Sequence, residues 1–331
     1  MNNTDKVAAL VRLRKYLASD DDTLQTAKQQ AYITNGWFTP DSVDTAIRNI
    51  CRYYLDETLL HNWLAAYPAA GAQTPRTVGI VAAGNIPLVS FHDWLCGFVS
   101  GHRVKLKLSS KDTVLMEHII TRMGEWYPEL AQQTLPSEML KDCDAYIATG
   151  SNNSARYFEY YFSRFPHIIR RNRTSAALLT GEETPEELAA LADDIMLYFG
   201  LGCRNVTKVL VPAGYDFAPL LQALEKYAHL MEHHKYRNNY DYNLALLLLN
   251  SSPHLTNGSI LLQEADSLFS PISVLHYGYY QDAAIAAAEL LAHEELQCLV
   301  GKGFTPFGQA QQPSLTDYAD GVDTMQFLGS L

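Results

Sequence analysis

Short apolar runs alternate with longer helical stretches through most of this chain, and they do so in two rounds. Thr77-Val-Gly-Ile-Val-Ala-Ala, Arg103-Val-Lys-Leu-Lys-Leu and Asp144-Ala-Tyr-Ile-Ala-Thr have strand composition, and residues 88–100, 112–127 and 153–165 read as the helices that follow them. The second round places strands over 175–179, 206–211, 244–249, 259–262, 272–277 and around 298–300, with helices over 185–199, 216–234 and 281–293. A strand carried through a helix to the next strand closes as a right-handed crossover. The pattern therefore predicts open, mainly parallel sheets covered by helices.

Residues 5–67 break that rhythm and read as helices over 5–18, 23–31, 39–54 and 56–67, with Pro40 and Asp41 placed to start the third. The Ala- and Gly-rich stretch from Pro68 to Pro75 ends this prefix, and the tail from Thr305, rich in Pro, Gln and Gly, reads as turns. The 331 residues are 47% hydrophobic and 18% charged, enough apolar material for two moderate cores. A net charge of -11 excludes a generally basic nucleic-acid surface, although a local cationic patch still suits a small polyanion. The five cysteines have no paired spacing, so neither a disulfide framework nor a zinc site is expected, and a reducing cytoplasm fits. The N-terminus leads into a charged helix and no apolar run reaches about 18 residues, so neither secretion nor a membrane span is expected.

Gly200-Leu201-Gly202-Cys203-Arg204-Asn205 sets a thiol on a glycine-flanked turn between the helix over 186–199 and the strand over 206–211. Glycines there let the backbone approach a ligand and leave N–H groups to face whatever bonds to sulfur, as a thioester-forming nucleophile requires. A small buried cysteine at a helix C-terminus has the same local sequence. His229, His233 and His234 with Glu232 fall on one predicted helix, and the i, i+4 pair His229–His233 has metal-ligand spacing. No second ligand cluster accompanies it, and no metal is expected. The aromatic run Tyr157, Phe158, Tyr160, Tyr161, Phe162 and Phe165 fits an acyl pocket or a core, and the core reading comes first. Arg170, Arg171 and Arg173 fit a phosphate-binding patch or a solvated linker equally well.

Taken in order, Gly84-Asn85-Ile86-Pro87 before a helix, the strand ending in Lys107, Thr149-Gly150-Ser151, the Cys203 turn, Phe269-Ser270-Pro271 and Pro306-Phe307-Gly308 resemble signature segments of the aldehyde dehydrogenase superfamily. From about Val78 onward the chain is most similar to its acyl-CoA reductases, the LuxC-like fatty-acid reductase group, in a short form. Residues 85–112, 147–173 and 198–205 carry the likeness most specifically. The resemblance implies an aldehyde-dehydrogenase-like α/β fold of two open, mainly parallel domains with a helical prefix. It divides the chain into a prefix over 1–75, a dinucleotide domain over 76–174 with 306–331, and a nucleophile domain over 175–305. It makes Cys203 the nucleophile and Asn85 an oxyanion donor, and it assigns Lys107, Ser110, Lys111, Thr149, Gly150, Ser151, Ser267 and Phe269 to the cofactor.

Four departures from the superfamily pattern refine this. Where a glutamate often holds the ribose 2'-hydroxyl, this chain has Ser110 followed by Lys111; a hydroxyl and a cation accept a 2'-phosphate, so NADPH is expected over NADH. Ala155 stands where a glycine is usual after the Ser151 segment, and Ser267 stands where a ribose-binding glutamate is usual, with Glu264 and Asp266 nearby. Leu178 replaces the glutamate that activates water in hydrolytic relatives, so hydrolysis of an acyl-enzyme lacks its base. The implied reaction is NADPH-dependent reduction of an acyl-CoA to the aldehyde. A non-redox acyl-transfer or acyl-carrier protein, or a CoA-acylating aldehyde dehydrogenase running in reverse, uses the same cysteine. The implied partners are acyl-CoA or an acyl donor protein, with an acyl-protein synthetase as one source. The superfamily's oligomerising hairpin has no room between Pro68 and Arg76, which leaves the oligomeric state open.

Overall fold

A computed structural model describes residues 2–67 and 74–331; most of the Pro68–Pro75 stretch expected to end the prefix lies outside the described residues. The chain divides into two compact units, Met1–Asn172 with Pro313–Leu331, and Arg173–Gln312.

The first unit begins with helices α1 (Asn3–Leu17), α2 (Asp22–Thr34), α3 (Pro40–Asn49) and α4 (Glu57–Ala65). Each starts on a side-chain oxygen, from Asn2, Asp21, Thr39 and Asp56, that accepts from an otherwise unpaired N–H of the first turn. Their apolar faces, including Leu10, Leu13, Leu24 and Leu60, share one core with Val78, Ile80 and Leu106 of the adjoining sheet. That sheet contains β1 (Thr77–Val81), β2 (Arg103–Lys107), β3 (Thr134–Pro136), β4 (Ala145–Thr149) and β5 (His167–Arg170), all parallel, in the order β3-β2-β1-β4-β5. Helices α5 (Phe91–Ser100), α6 (Val114–Trp126) and α7 (Asn152–Phe162) connect or follow its strands. Val81 aligns with Lys107 on one side and Ala148 on the other, so β1, β2 and β4 end together. In open α/β sheets ligands bind beyond those carboxyl ends, where the strand order reverses.

The second unit holds β6 (Thr174–Leu178), α8 (Pro185–Met196), β7 (Val206–Pro212), α9 (Ala218–Leu224), α10 (His234–Leu249), β8 (Leu255–Thr256), β9 (Leu261–Glu264), β10 (Val274–Tyr280), α11 (Ala283–Leu291) and β11 (Leu296–Gly301). Its sheet runs β11-β6-β7-β10-β9-β8, parallel except for the β8–β9 pair. The two open parallel sheets are the architecture expected from the alternation.

Three expectations are corrected. Residues 244–249 are the last turns of α10, not a strand: Tyr240, Asn243 and Leu247 are buried at helical spacing, while Leu248 and Leu249 point outward. A leucine run has no period of its own, so composition alone misassigns it. The helix expected over 216–234 is broken into α9, a 3-10 stretch Glu225–Glu232, and an extended His233 that caps α10. The tail is not all turn, because α12 (Thr324–Gly329) buries Met325 and Leu328 in the first core. Strands β3 and β5, three and four residues long, are too short to show a period in the sequence.

Candidate active site

The Cys203 turn is built from both sides. A capping box between Thr184 and Glu187, with Pro185 in the first turn, starts α8. The helix ends at Met196, three residues before the boundary expected from sequence, because Tyr198, Phe199 and Gly200 take φ of 54°, 59° and 74°. Left-handed backbone costs a side-chain-bearing residue roughly 1–2 kcal/mol, and burial of the Tyr198 and Phe199 rings offsets it. Beyond them, Asn205 is fully buried. Its Oδ1 accepts from the Gly202 N–H at 2.7 Å, and its Nδ2 donates toward the carbonyls of Asp194, Ile195 and Leu197 at 3.1, 3.3 and 2.9 Å. The Asn205 N–H returns to the Gly202 carbonyl at 3.0 Å, leaving Cys203 and Arg204 at the tip. The Gly202 N–H is therefore engaged inside the turn rather than left for a ligand. Cys203 is half-buried, its carbonyl accepts from Ser175 Oγ at 3.2 Å, and Arg204 Nη1 reaches the Ala310 carbonyl at 3.5 Å.

Leu178 ends β6, aligned with Leu210 of β7 and Gly301 of β11, and packs in an apolar cluster with Ala176, Leu268 and Leu299. The following turn does contain two carboxylates, the exposed Glu182 and, beside it, Glu183. Glu183 folds back on its own loop, accepting from Thr180 N and Oγ1 at 2.6 and 2.8 Å and from Gly181 N at 3.1 Å.

In the first unit, Asn85 lies exposed in the loop after β1. Gly84 admits no side chain, since a Cβ there would run into Ser109 Oγ; the Asn85 loop rests directly on the loop after β2. A second tie is Asp112, 3% exposed, whose Oδ2 accepts from the Leu88 N–H at 2.8 Å while Oδ1 has no partner. Leu88 itself is left-handed, with φ of 58°. Burial pushes the Asp112 carboxyl up to about 7, against the pull of the Leu88 and Val89 N–H groups. Sequence reasoning misses Asp112 and Asn205, because an aspartate before a helix and an asparagine after a turn are ordinary there; only burial distinguishes them.

At the carboxyl ends of β1 and β2 a cavity of about 490 Å³ opens, lined by Val81, Lys107, Lys141, Tyr157, Phe158 and Tyr161 among others. Ser110 and Lys111 are exposed on the loop that follows β2. The α7 aromatics are thus not core: Tyr157, Tyr160 and Tyr161 are 66%, 79% and 65% exposed, and Ala155 is the one buried residue of that helix. Ser151 caps α7, its hydroxyl accepting from the Ser154 N–H at 3.2 Å, with Thr149 and Gly150 half-buried before it.

The Ser267–Phe269 segment is held from beneath. Lys208 Nζ donates to the Asp266 carbonyl at 2.7 Å, His276 Nδ1 lies 3.0 Å from that of Ser267, and Thr207 Oγ1 donates to that of Leu268 at 2.7 Å. Lys208 and His276 are paired across β7 and β10, and burial lowers the pKa of both. The Ser267 hydroxyl donates to the Phe269 carbonyl at 2.9 Å.

Two sequence clusters dissolve. Arg170 is buried in an ion pair with Asp93 and donates to Thr324 Oγ1 at 2.8 Å, Arg171 pairs with Glu159 at 2.5 Å, and Arg173 donates to the Leu296 carbonyl at 3.0 Å, so they form no shared phosphate patch. His229 and His233 do not share a helix, because the 3-10 stretch stops at Glu232. Among the described residues no group of three or more His, Cys, Asp or Glu side chains is arranged to hold a metal, and no helix is long and apolar enough to cross a membrane.

No protein-family model matches the sequence, and no curated protein does. Solved structures do match in fold. A point mutant of an aldehyde dehydrogenase from Bacillus cereus superposes with a TM-score of 0.66 at 13% identity over 91% of this chain and 72% of that one. The gamma-glutamyl-gamma-aminobutyraldehyde dehydrogenase of Burkholderia cenocepacia J2315 gives 0.64 at 14% identity, covering 91% and 71%. An aldehyde dehydrogenase of Mycobacterium tuberculosis complexed with NAD+ gives 0.60 at 15% identity, covering 87% and 71%. The chain has the aldehyde dehydrogenase fold.

Proposed function

We propose that this protein is an NADPH-dependent reductase that takes an acyl thioester, such as a fatty acyl-CoA, to the aldehyde through an acyl-enzyme on Cys203. The observation that carries the reading is the pairing of a thiol on a braced turn with Leu178, where water activation would need a carboxylate. Cys203 as thiolate attacks the thioester carbonyl, and the C–S bond to CoA breaks with its electron pair leaving on the CoA sulfur. The Cys203 N–H stabilises the oxyanion; loss of such a donor costs about 2.7–4 kcal/mol of barrier. Leu178 is apolar and Glu183 is occupied by its own loop, which supports an acyl group that persists on sulfur rather than passing to water. Bound NADPH would supply hydride, and the acyl group on Cys203 would pass through a thiohemiacetal that releases aldehyde and returns the thiolate.

Several residues of the first unit support NADPH as the cofactor. The 490 Å³ cavity beside Lys107 has aromatic faces for a base, and the exposed Ser110 and Lys111 suit a 2'-phosphate. Ser151 and the N-terminus of α7 support a diphosphate. Exchange of Lys111 for Ala is expected to lower the preference for NADPH over NADH about tenfold, roughly 1.4 kcal/mol, in parallel kinetics with the two cofactors. The deciding assay is NADPH oxidation with a medium- to long-chain acyl-CoA: activity in the wild type and its loss in Cys203→Ala support the reading, and inactive wild type ends it. The same centre run backwards is a CoA-acylating aldehyde dehydrogenase, so aldehyde, CoA and NADP+ should yield acyl-CoA.

One observation favours a second reading, a non-redox acyl-transfer protein. The Asp266–Leu268 carbonyls and the Ser267 hydroxyl are all engaged within the protein, and Ser267 stands at the position where the resemblance implies a ribose-binding glutamate. NADPH affinity weaker than millimolar, with acyl labelling of Cys203 retained, would select it.

A further inference from the structure

We propose that Asn205, backed by Asp194, is the positioning residue for the Cys203 turn, an inference that rests on the reading of Cys203 as nucleophile. One amide performs two tasks. Its oxygen closes the turn through the Gly202 N–H, and its NH2 donates toward the carbonyls of Asp194, Ile195 and Leu197 where α8 ends. No other side chain of similar size supplies both an acceptor and two donors at that reach: aspartate has no donor, leucine has neither, and glutamine is one methylene too long for a site with no exposed surface.

Asp194 extends the brace. Its side chain is fully buried and accepts from the Gly308 N–H at 2.6 Å and the Ala310 N–H at 2.9 Å, while its carbonyl receives Asn205. Arg204, next to the nucleophile, reaches the carbonyl of the same Ala310. The nucleophile turn and the Gly308–Ala310 segment are thereby tied to one point on α8. A close approach of Gly308 to Ala190, where a Cβ would come within 3.0 Å, holds the segment from its other side. Burial pushes the Asp194 carboxyl up to about 7 despite its two N–H donors, as expected for a carboxylate buried there for geometry rather than for charge.

The test is the pH dependence of Cys203 alkylation by iodoacetamide in the full chain, followed by peptide mass spectrometry, without cofactor or acyl-CoA. Cys51, in the other unit, is the internal reference. In Asn205→Ala, the midpoint at Cys203 is expected to move by about half a pH unit or more, with an unchanged profile at Cys51. A folded Asn205→Ala with the wild-type Cys203 profile overturns the proposal. Should that variant not fold, hydrogen exchange in the wild type decides: the Gly202 amide must be protected like the β7 strand, and exchange at the rate of an open loop overturns the proposal. Because neither measurement uses NADPH or a thioester, an inactive wild type would refute the acyl-reduction reading while leaving this result standing on its own.

Discussion

Asp112 shows what a single buried group does to the whole stability curve. Its carboxyl titrates near 3.8 in the unfolded chain and about 7 in the folded one. Between those values the folded state keeps a proton that the unfolded state has released, so stability falls as pH rises from about 4 to about 7 and levels off above. Asp194, also raised to about 7, adds a slope of the same sign. An asparagine at position 112 would keep an acceptor for the Leu88 N–H and would not titrate. Asp112→Asn is therefore expected to gain melting temperature relative to wild type as pH is raised from about 4 to about 8, with a residual slope from Asp194; parallel wild-type and variant curves would count against it. The same residue holds the loop after β1 through the Leu88 N–H.

At the scale of elements, α8 and the left-handed kink after it decide where the thiol sits. The Thr184–Glu187 capping box sets the start, and Thr184→Ala should cost about 1 kcal/mol in urea unfolding. The end is set by two opposed effects at Phe199. Glycine there would relieve about 1–2 kcal/mol of left-handed backbone strain, while loss of a buried phenyl ring costs about 3–5 kcal/mol. Packing wins, so Phe199→Gly is expected to destabilise by about 1–4 kcal/mol in the same assay, and a stabilised variant would show that the ring is not what holds the kink. Sequence alone puts this boundary three residues late, because tyrosine and phenylalanine are not residues that normally end a helix by turning left-handed.

For the whole molecule, the net charge of -11 opposes anionic ligands such as NADPH and acyl-CoA, while Lys105, Lys107, Lys111 and Lys141 lie near the carboxyl end of β2. At physiological salt the Debye length is about 8 Å, so distant acidic groups are screened more than lysines in contact. NADPH affinity is accordingly expected to fall as salt is raised from about 20 to about 300 mM, where dominance by the net charge would make it rise. Fluorescence titration across that range checks the sign.

Two rounds of strand and helix, and the parallel sheets they build, were legible from residue order alone, because side-chain period and turn residues are local properties. So were the turn that carries Cys203 and a strand through Leu178, although the strand ends at Leu178 and not at residue 179 as its composition suggests. Long-range packing settled what remained. The leucine run of 244–249 became helix because its buried partners lie on one helical face, and the α7 aromatics became a cavity wall because they stay exposed instead of joining a core. Arg170 fits a phosphate patch or a solvated linker equally well by sequence, and buried pairing with Asp93, 77 positions away, makes it neither. Asn205 and Asp112 carry no signal in the sequence at all, because their importance comes from the low dielectric and the unpaired backbone groups around them, and only the folded chain creates both.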